Sequence, residues 1–184
     1  VAVTQNNGVG NNAGTTTVAS GAVLDLQNAA IGNETLNLNG GTLRVSTGSS
    51  SWSGVVSDNG NGLTLNGAGT ITLSNANNTI STFATNGTVG GLNIKNKLAL
   101  NVGLINATGN VTIANTANLT LMSGQGISTT TGNIVLAGAK FFNRAGASAL
   151  TVSNGHTWQV WSANIIPLET EANGGDENGG LANN

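Results

Sequence analysis

Short alternating runs fill this chain from end to end. AVLDLQ, ETLNLNG, GTLRVST, GLTLNGAG, TITLSNANN, GLNIKNK, LALNVG, NVTIANT, NLTLMSG, GNIVLAG, ALTVSNG and TWQVWS each set apolar residues at i and i+2, with a polar residue between most of them. That period of two is the mark of a β-strand with one face buried. The clearest pairs are Leu24/Leu26, Leu36/Leu38, Leu43/Val45, Leu63/Leu65, Ile71/Leu73, Leu92/Ile94 and Leu119/Leu121. No stretch sustains a 3.6-residue period, so the pattern predicts an all-β protein.

Successive strands start about 7 to 12 residues apart, across turns of Gly, Asn and Ser. That spacing suits an antiparallel β-sandwich or a coiled solenoid. Each run offers only two inward residues, and one Asn/Gly/Thr/Leu alphabet recurs throughout. Asparagine also returns just after strands, at Asn37, Asn39, Asn66, Asn75, Asn77 and Asn78. There it tolerates left-handed backbone and can run ladders from coil to coil. These features favour a right-handed parallel β-helix (β-solenoid) of about 20 to 25 residues per coil. Roughly eight coils at ~4.8 Å each would make a rod near 40 Å long. Inward Leu, Ile and Val would stack, and Asp25, Arg44 and Lys95 would point outward. The antiparallel sandwich remains the alternative.

Composition narrows the function. Only 7% of the 184 residues are charged and the formal net charge is −2, which excludes a basic surface that tracks phosphates. No apolar run is long enough to span a bilayer. With 38% hydrophobic residues the chain can bury a core despite its 28 glycines. Cysteine is absent, so hydrogen bonds and packing alone must hold the fold. No signal peptide opens the chain, so any such segment is removed or lies outside this sequence.

Three segments emerge: repetitive coils over 1–140, an aromatic-rich terminal coil over 141–165, and an acidic Gly/Asn-rich loop or tail over 166–184. The middle one is the odd stretch. Aromatics make up 3% of the chain, yet Phe141, Phe142, Trp158 and Trp161 gather here beside the single histidine. Strand alternation puts Trp158 and Val160 on one face and Trp161 on the other. The expected role is structural: Phe141, Phe142 and one Trp plug the coil where the small stacks stop. The functional alternative is a carbohydrate-binding surface using Trp158 or Trp161.

Residues 14–79, from GTTTVASGAVLDLQ to TLSNANNT, resemble the repeats of bacterial autotransporter passengers and filamentous-haemagglutinin-like exoproteins. NIVLAGAKFFNRAGASALTVSNGHTWQVWS resembles a segment near the distal end of β-helical stretches in the latter group. Its Phe-x-Asn, Ala-Gly and Trp-bearing strand, and then the loop NGGDENGGL, follow that group's phrase. The resemblance implies a right-handed β-helix within a secreted or surface-displayed bacterial protein, with a structural or adhesive role. Neither a secretion-domain signature nor a C-terminal membrane barrel is seen. The chain therefore reads as a fragment.

Chemistry-bearing residues are sparse. His156 sits in a turn with no acid near it in sequence, where a nucleophilic triad needs an oriented base. A polysaccharide-degrading β-helix enzyme needs clustered carboxylates, or a base with calcium ligands. Asp25, Glu34 and Asp58 are far apart, as are Arg44, Lys95, Lys97, Lys140 and Arg144. The expectation is no enzyme, no catalytic residue, no cofactor and no metal. The stretches 57–62 and 174–180 have a loose calcium-loop look without alternating acids, and read as solvated turns. Asn33-Glu34-Thr35 and Asn118-Leu119-Thr120 match sequons but record a turn Asn followed by strand residues. Thr15–Thr17 and Thr129–Thr131 are too isolated for an ice-binding array.

As partners, the reading expects an unspecified surface glycan or protein, no nucleic acid and no membrane insertion. Head-to-tail self-association is the further possibility, because Val1-Ala2-Val3-Thr4 starts in mid-strand without a cap and low charge offers little repulsion. The acids Glu169, Glu171, Asp176 and Glu177 would offer a cover for the far end.

Overall fold

The computed structural model describes residues 1–10, 14–163 and 181. It is a parallel β-solenoid of about 8 turns with ~21 residues per turn, and no helix occurs among the described residues. An eight-stranded and a seven-stranded sheet run its length as two faces, joined by a three-stranded and a four-stranded sheet. Every pairing between strands is parallel, each strand lying against its counterpart one coil later. The one antiparallel contact among the described residues is an isolated bridge, Ala19 to Gly40. The sandwich is therefore excluded. Coil length varies: Val23 pairs with Thr42, 19 residues on, whereas Ile134 pairs with Trp158, 24 residues on.

Alternation becomes burial directly. Strand Val111–Asn115 buries Val111, Ile113 and Asn115 and turns Thr112 and Ala114 outward. In-register pairing then stacks each inward residue on its neighbour. On the seven-stranded face Ile31, Trp52, Leu73, Ile94, Ile113, Leu136 and Val160 form one column. Burying each aliphatic side chain contributes about 1.5–3 kcal/mol. The expected Leu, Ile and Val stacks are present, but the two largest fully buried side chains are Trp52 and Phe83, in interior coils. Aromatic residues thus fill the core well before the terminal coil. Asp25, Arg44 and Lys95 do alternate outward; Arg44 and Lys95 are exposed, while Asp25 is largely covered by its own hydrogen bonds.

The third side of the prism changes place midway. In the first half the short strand follows the seven-stranded face, as in the order Thr42–Thr47, Ser49–Trp52, Val56–Ser57. In the second half it follows the eight-stranded face, as in Leu100–Val102, Ile105–Ala107, Val111–Asn115. The exchange falls between the Ser57–Thr79 bridge and strand Thr88–Val89. Two short sheets therefore end inside the shaft, and polar side chains meet their exposed edges. Asn78 Oδ1 accepts from Val56 N at 2.7 Å, while its amide donates to Lys95 O at 2.9 Å. Asn96 accepts from Ile80 N at 2.8 Å and donates to Ile80 O and to Asn115 Oδ1. Thr85 Oγ1 accepts from Asn106 N at the opening of the four-stranded sheet.

These asparagines form the predicted ladder, with partly different members. Asn39, Asn75 and Asn78 reach a neighbouring coil, whereas Asn66 caps the following Gly67 N–H. Asn96 and Asn115, both buried, were not anticipated. Their signal was present: in GLNIKN and NVTIAN the asparagine occupies the next inward position after two apolar ones. A second, exposed ladder runs from Asn110, which accepts from Asn133 N, to Asn133, which accepts from Thr157 N.

Candidate functional site: the outer strip from Lys95 to Trp161

The terminal strand Trp158–Ser162 pairs in register with Ile134–Gly138. Trp158 faces inward over Ile134 and packs against the core, as does Val160. Trp161 faces out and is 61% exposed, the most exposed aromatic side chain among the described residues. Alternation thus parts the two indoles as predicted, so they cannot form one platform. Phe141 is buried on Leu119, and Phe142 lies outward over Thr120 with the Arg144 guanidinium 6.0 Å from its ring centre. One phenylalanine and Trp158 therefore fill the terminal coil, not both phenylalanines.

Trp161 heads an outward column. Below it in register lie Ala137, Ala114 and Lys95, one per coil. With no side chain beyond Cβ at Ala114 and Ala137, the indole stands over open sheet. A shallow depression of about 370 Å3 lies against it, lined by Asn115, Thr116, Ala137, Gly138, Ala139, Trp161, Ser162 and Ala163. Lys97, two residues beyond Lys95, is exposed as well.

A second depression, of about 340 Å3, follows a glycine corner that sequence reasoning missed; Gly90, Gly91, Gly109, Asn93 and Asn110 are among its walls. Gly69, Gly90 and Gly109 stack through Gly90 N to Gly69 O at 3.0 Å and Gly109 N to Gly90 O at 2.6 Å. A Cβ on Gly109 would stand 2.7 Å from Gly90 O, and one on Gly132 would fall into the backbone of Gly109 and Asn110. Only glycine lets these coils approach so closely.

The acids stay apart, each inside its own hydrogen bonds. Asp25 accepts from Gln27 Nε2 and Ser46 N at 3.0 Å, with Arg44 Nε at 3.9 Å. Burial acts to raise its pKa, but those donors and the guanidinium outweigh burial and hold it below the ordinary value. Asp58 accepts from Gly60 N, Ser81 N, Ser81 Oγ and Thr82 N. In the loop that resembled a calcium site, its carboxylate is a staple between coils. Glu34 is buried; Oε1 accepts from Thr16 Oγ1, and Oε2 has no hydrogen-bond partner.

His156 is half-buried in a turn, its backbone N–H donating to Ser153 O at 3.1 Å. Among the described residues no three His, Asp or Glu side chains come together. Thr15–Thr17 lie on the three-stranded sheet, whereas of Thr129–Thr131 only Thr129 is in the four-stranded sheet, and it points into the core. The stretch 174–180 and the four tail acids lie outside the described residues. No helix among the described residues is long and apolar enough to cross a membrane. No family model, curated protein or solved structure matches the chain, so its own geometry is what bears on function.

Proposed function

We propose that this chain is a stiff structural and adhesive module of a secreted or surface-displayed bacterial exoprotein, a shaft that holds other parts at a distance. The observation that carries this is the unbroken seven-residue column from Ile31 to Val160, with parallel pairing on every coil beside it. Each interior coil is hydrogen-bonded above and below, so bending the shaft strains many bonds at once. The acids of the described residues are scattered, which fits a scaffold better than a polysaccharide-degrading enzyme.

The absence of cysteine makes the test clean. Spin labels on Ser51→Cys and Gln159→Cys sit on one outward column, five coils apart. Dipolar spectroscopy should give one narrow distance near ~24 Å, five steps of ~4.8 Å. Deleting residues 92–110, one whole coil by the pairing of Leu92 with Val111, should shorten it by one step and leave the protein folded. A broad distribution, or loss of folding on removal of the coil, would count against a modular shaft.

A second reading is favoured by one observation, the exposed Trp161 over its small-residue strip. It makes the module carbohydrate-binding, with a sugar ring stacked on the indole.

A further inference from the structure

Charge is segregated along the shaft. From Asn59 to Ala163 the sequence holds no Asp or Glu, but it does hold Lys95, Lys97, Lys140 and Arg144. The acids of the described region, Asp25, Glu34 and Asp58, all belong to the first coils. Lys95 and Lys97 are both exposed, and neither takes part in the ion pair of Arg44 with Asp25. Nothing anionic in the described structure neutralises the two ammonium groups.

Their position relative to Trp161 turns this into a site. Lys95 and Trp161 share one outward column, separated by Ala114 and Ala137. Three strand spacings of ~4.8 Å put them ~14 Å apart along the shaft. Between them the surface is low, bordered by the exposed Thr116 and by Gly138 and Ala139. An aromatic face at one end, a pair of cations at the other and a flat uncharged floor suit an extended ligand with apolar ring faces and regular negative charge.

We propose that this strip binds an acidic polysaccharide, a chain of uronic-acid residues, along the axis of the shaft. One pyranose ring stacks its C–H face on Trp161, and carboxylates farther along pair with Lys95 and Lys97. A neutral glycan would leave both lysines unused, and a protein partner would need a larger apolar patch than one indole. The proposal rests on the carbohydrate-binding reading and adds to it the charge of the ligand. Because the cations are exposed, their contribution is screened by salt, whereas stacking is not.

The test uses the full chain and three probes: hexagalacturonate, neutral maltohexaose and sodium chloride. Trp161 is the tryptophan open to solvent, so ligand stacking should change the intrinsic fluorescence. Hexagalacturonate should bind at least tenfold more tightly than maltohexaose at low salt, and weaken as salt rises. Trp161→Ala should lose at least tenfold in affinity. Lys95→Gln with Lys97→Gln should lose about as much and flatten the salt dependence. Arg44→Gln, on the other half of the shaft, should change neither. All are outward substitutions, and unchanged thermal melts would confirm that the variants are folded. Equal binding of the neutral hexamer, lost in Trp161→Ala, would overturn the acidic ligand and leave the sugar platform standing. Binding of hexagalacturonate unaffected by the lysine changes would overturn the proposal too. Binding of neither oligosaccharide would remove both.

Discussion

The indole N–H of Trp52 donates to the backbone carbonyl of Glu34 across one coil, at 2.6 Å, with both residues buried. The largest core side chain is thereby tied to the segment that carries Glu34 Oε2, the one buried side-chain atom without a partner among the described residues. Gly54 closes the same corner: its N–H reaches Gly32 O at 2.9 Å, and a Cβ there would overlap the Glu34 carbonyl. Indole, glycine and the Glu34 backbone form one packing unit in the early coils.

Trp52→Phe keeps most of the buried area but removes the donor, and should cost about 1–3 kcal/mol. Trp52→Ala should cost about 3–5 kcal/mol through the cavity it leaves. Thr16→Val removes the single hydrogen bond to the Glu34 carboxyl group and should cost about 1–3 kcal/mol. Urea unfolding of each variant checks the order, with Trp52→Ala the least stable. A Trp52→Phe variant as stable as the parent would show that the indole bond contributes nothing net.

Asn96 meets a sheet edge buried inside the shaft. Asn96→Ala strands both backbone groups of Ile80 and the Oδ1 of Asn115, and should destabilise by about 2–4 kcal/mol. Asn96→Asp should be no better, because a carboxylate cannot donate to Ile80 O or Leu98 O. Hydrogen exchange at the Ile80 amide reads the local effect, and it should speed up more than at Ile113, one coil beyond.

The glycines divide into two kinds. Gly60, at φ 79° with nothing within 4 Å of a Cβ, needs only left-handed backbone, so Gly60→Ala should cost about 1–2 kcal/mol. Gly109 and Gly132 need the space itself, and Ala there must push two coils apart. Both should lower the midpoint of thermal unfolding well beyond the Gly60 change. Equal effects at the three sites would mean that the corner relaxes freely.

Asp25 makes stability depend on acid. Its folded pKa lies below the ordinary carboxylate value, so its stabilising contribution is complete at neutral pH. That contribution falls away as pH drops through the folded pKa, when the carboxyl group is protonated and loses its charge. Melting temperatures from pH 7 down to pH 2.5 should therefore fall at the acid end. Asp25→Asn should be less stable at pH 7 and show a shallower fall. An identical acid limb in the variant would assign the loss to other groups.

Alternation of apolar and polar residues determined much of this protein alone. It set the strands, their inward residues, the all-β class and the separation of Trp158 from Trp161, because side-chain direction in a strand depends only on parity. The positions of Asn96 and Asn115 were equally readable by that rule. The partners of each strand were not. Coil length runs from 18 to 24 residues through turns without a fixed signature, so register follows from packing across coils. Only the tertiary structure could set Trp161 over Lys95, residues 66 positions apart in the chain, or bring Trp52 to the carbonyl of Glu34. It alone decided that the third side changes place midway, since that depends on which turn of each coil is long enough to hold a strand. A period of two is a property of one strand, whereas a strip along the shaft is a property of several stacked together.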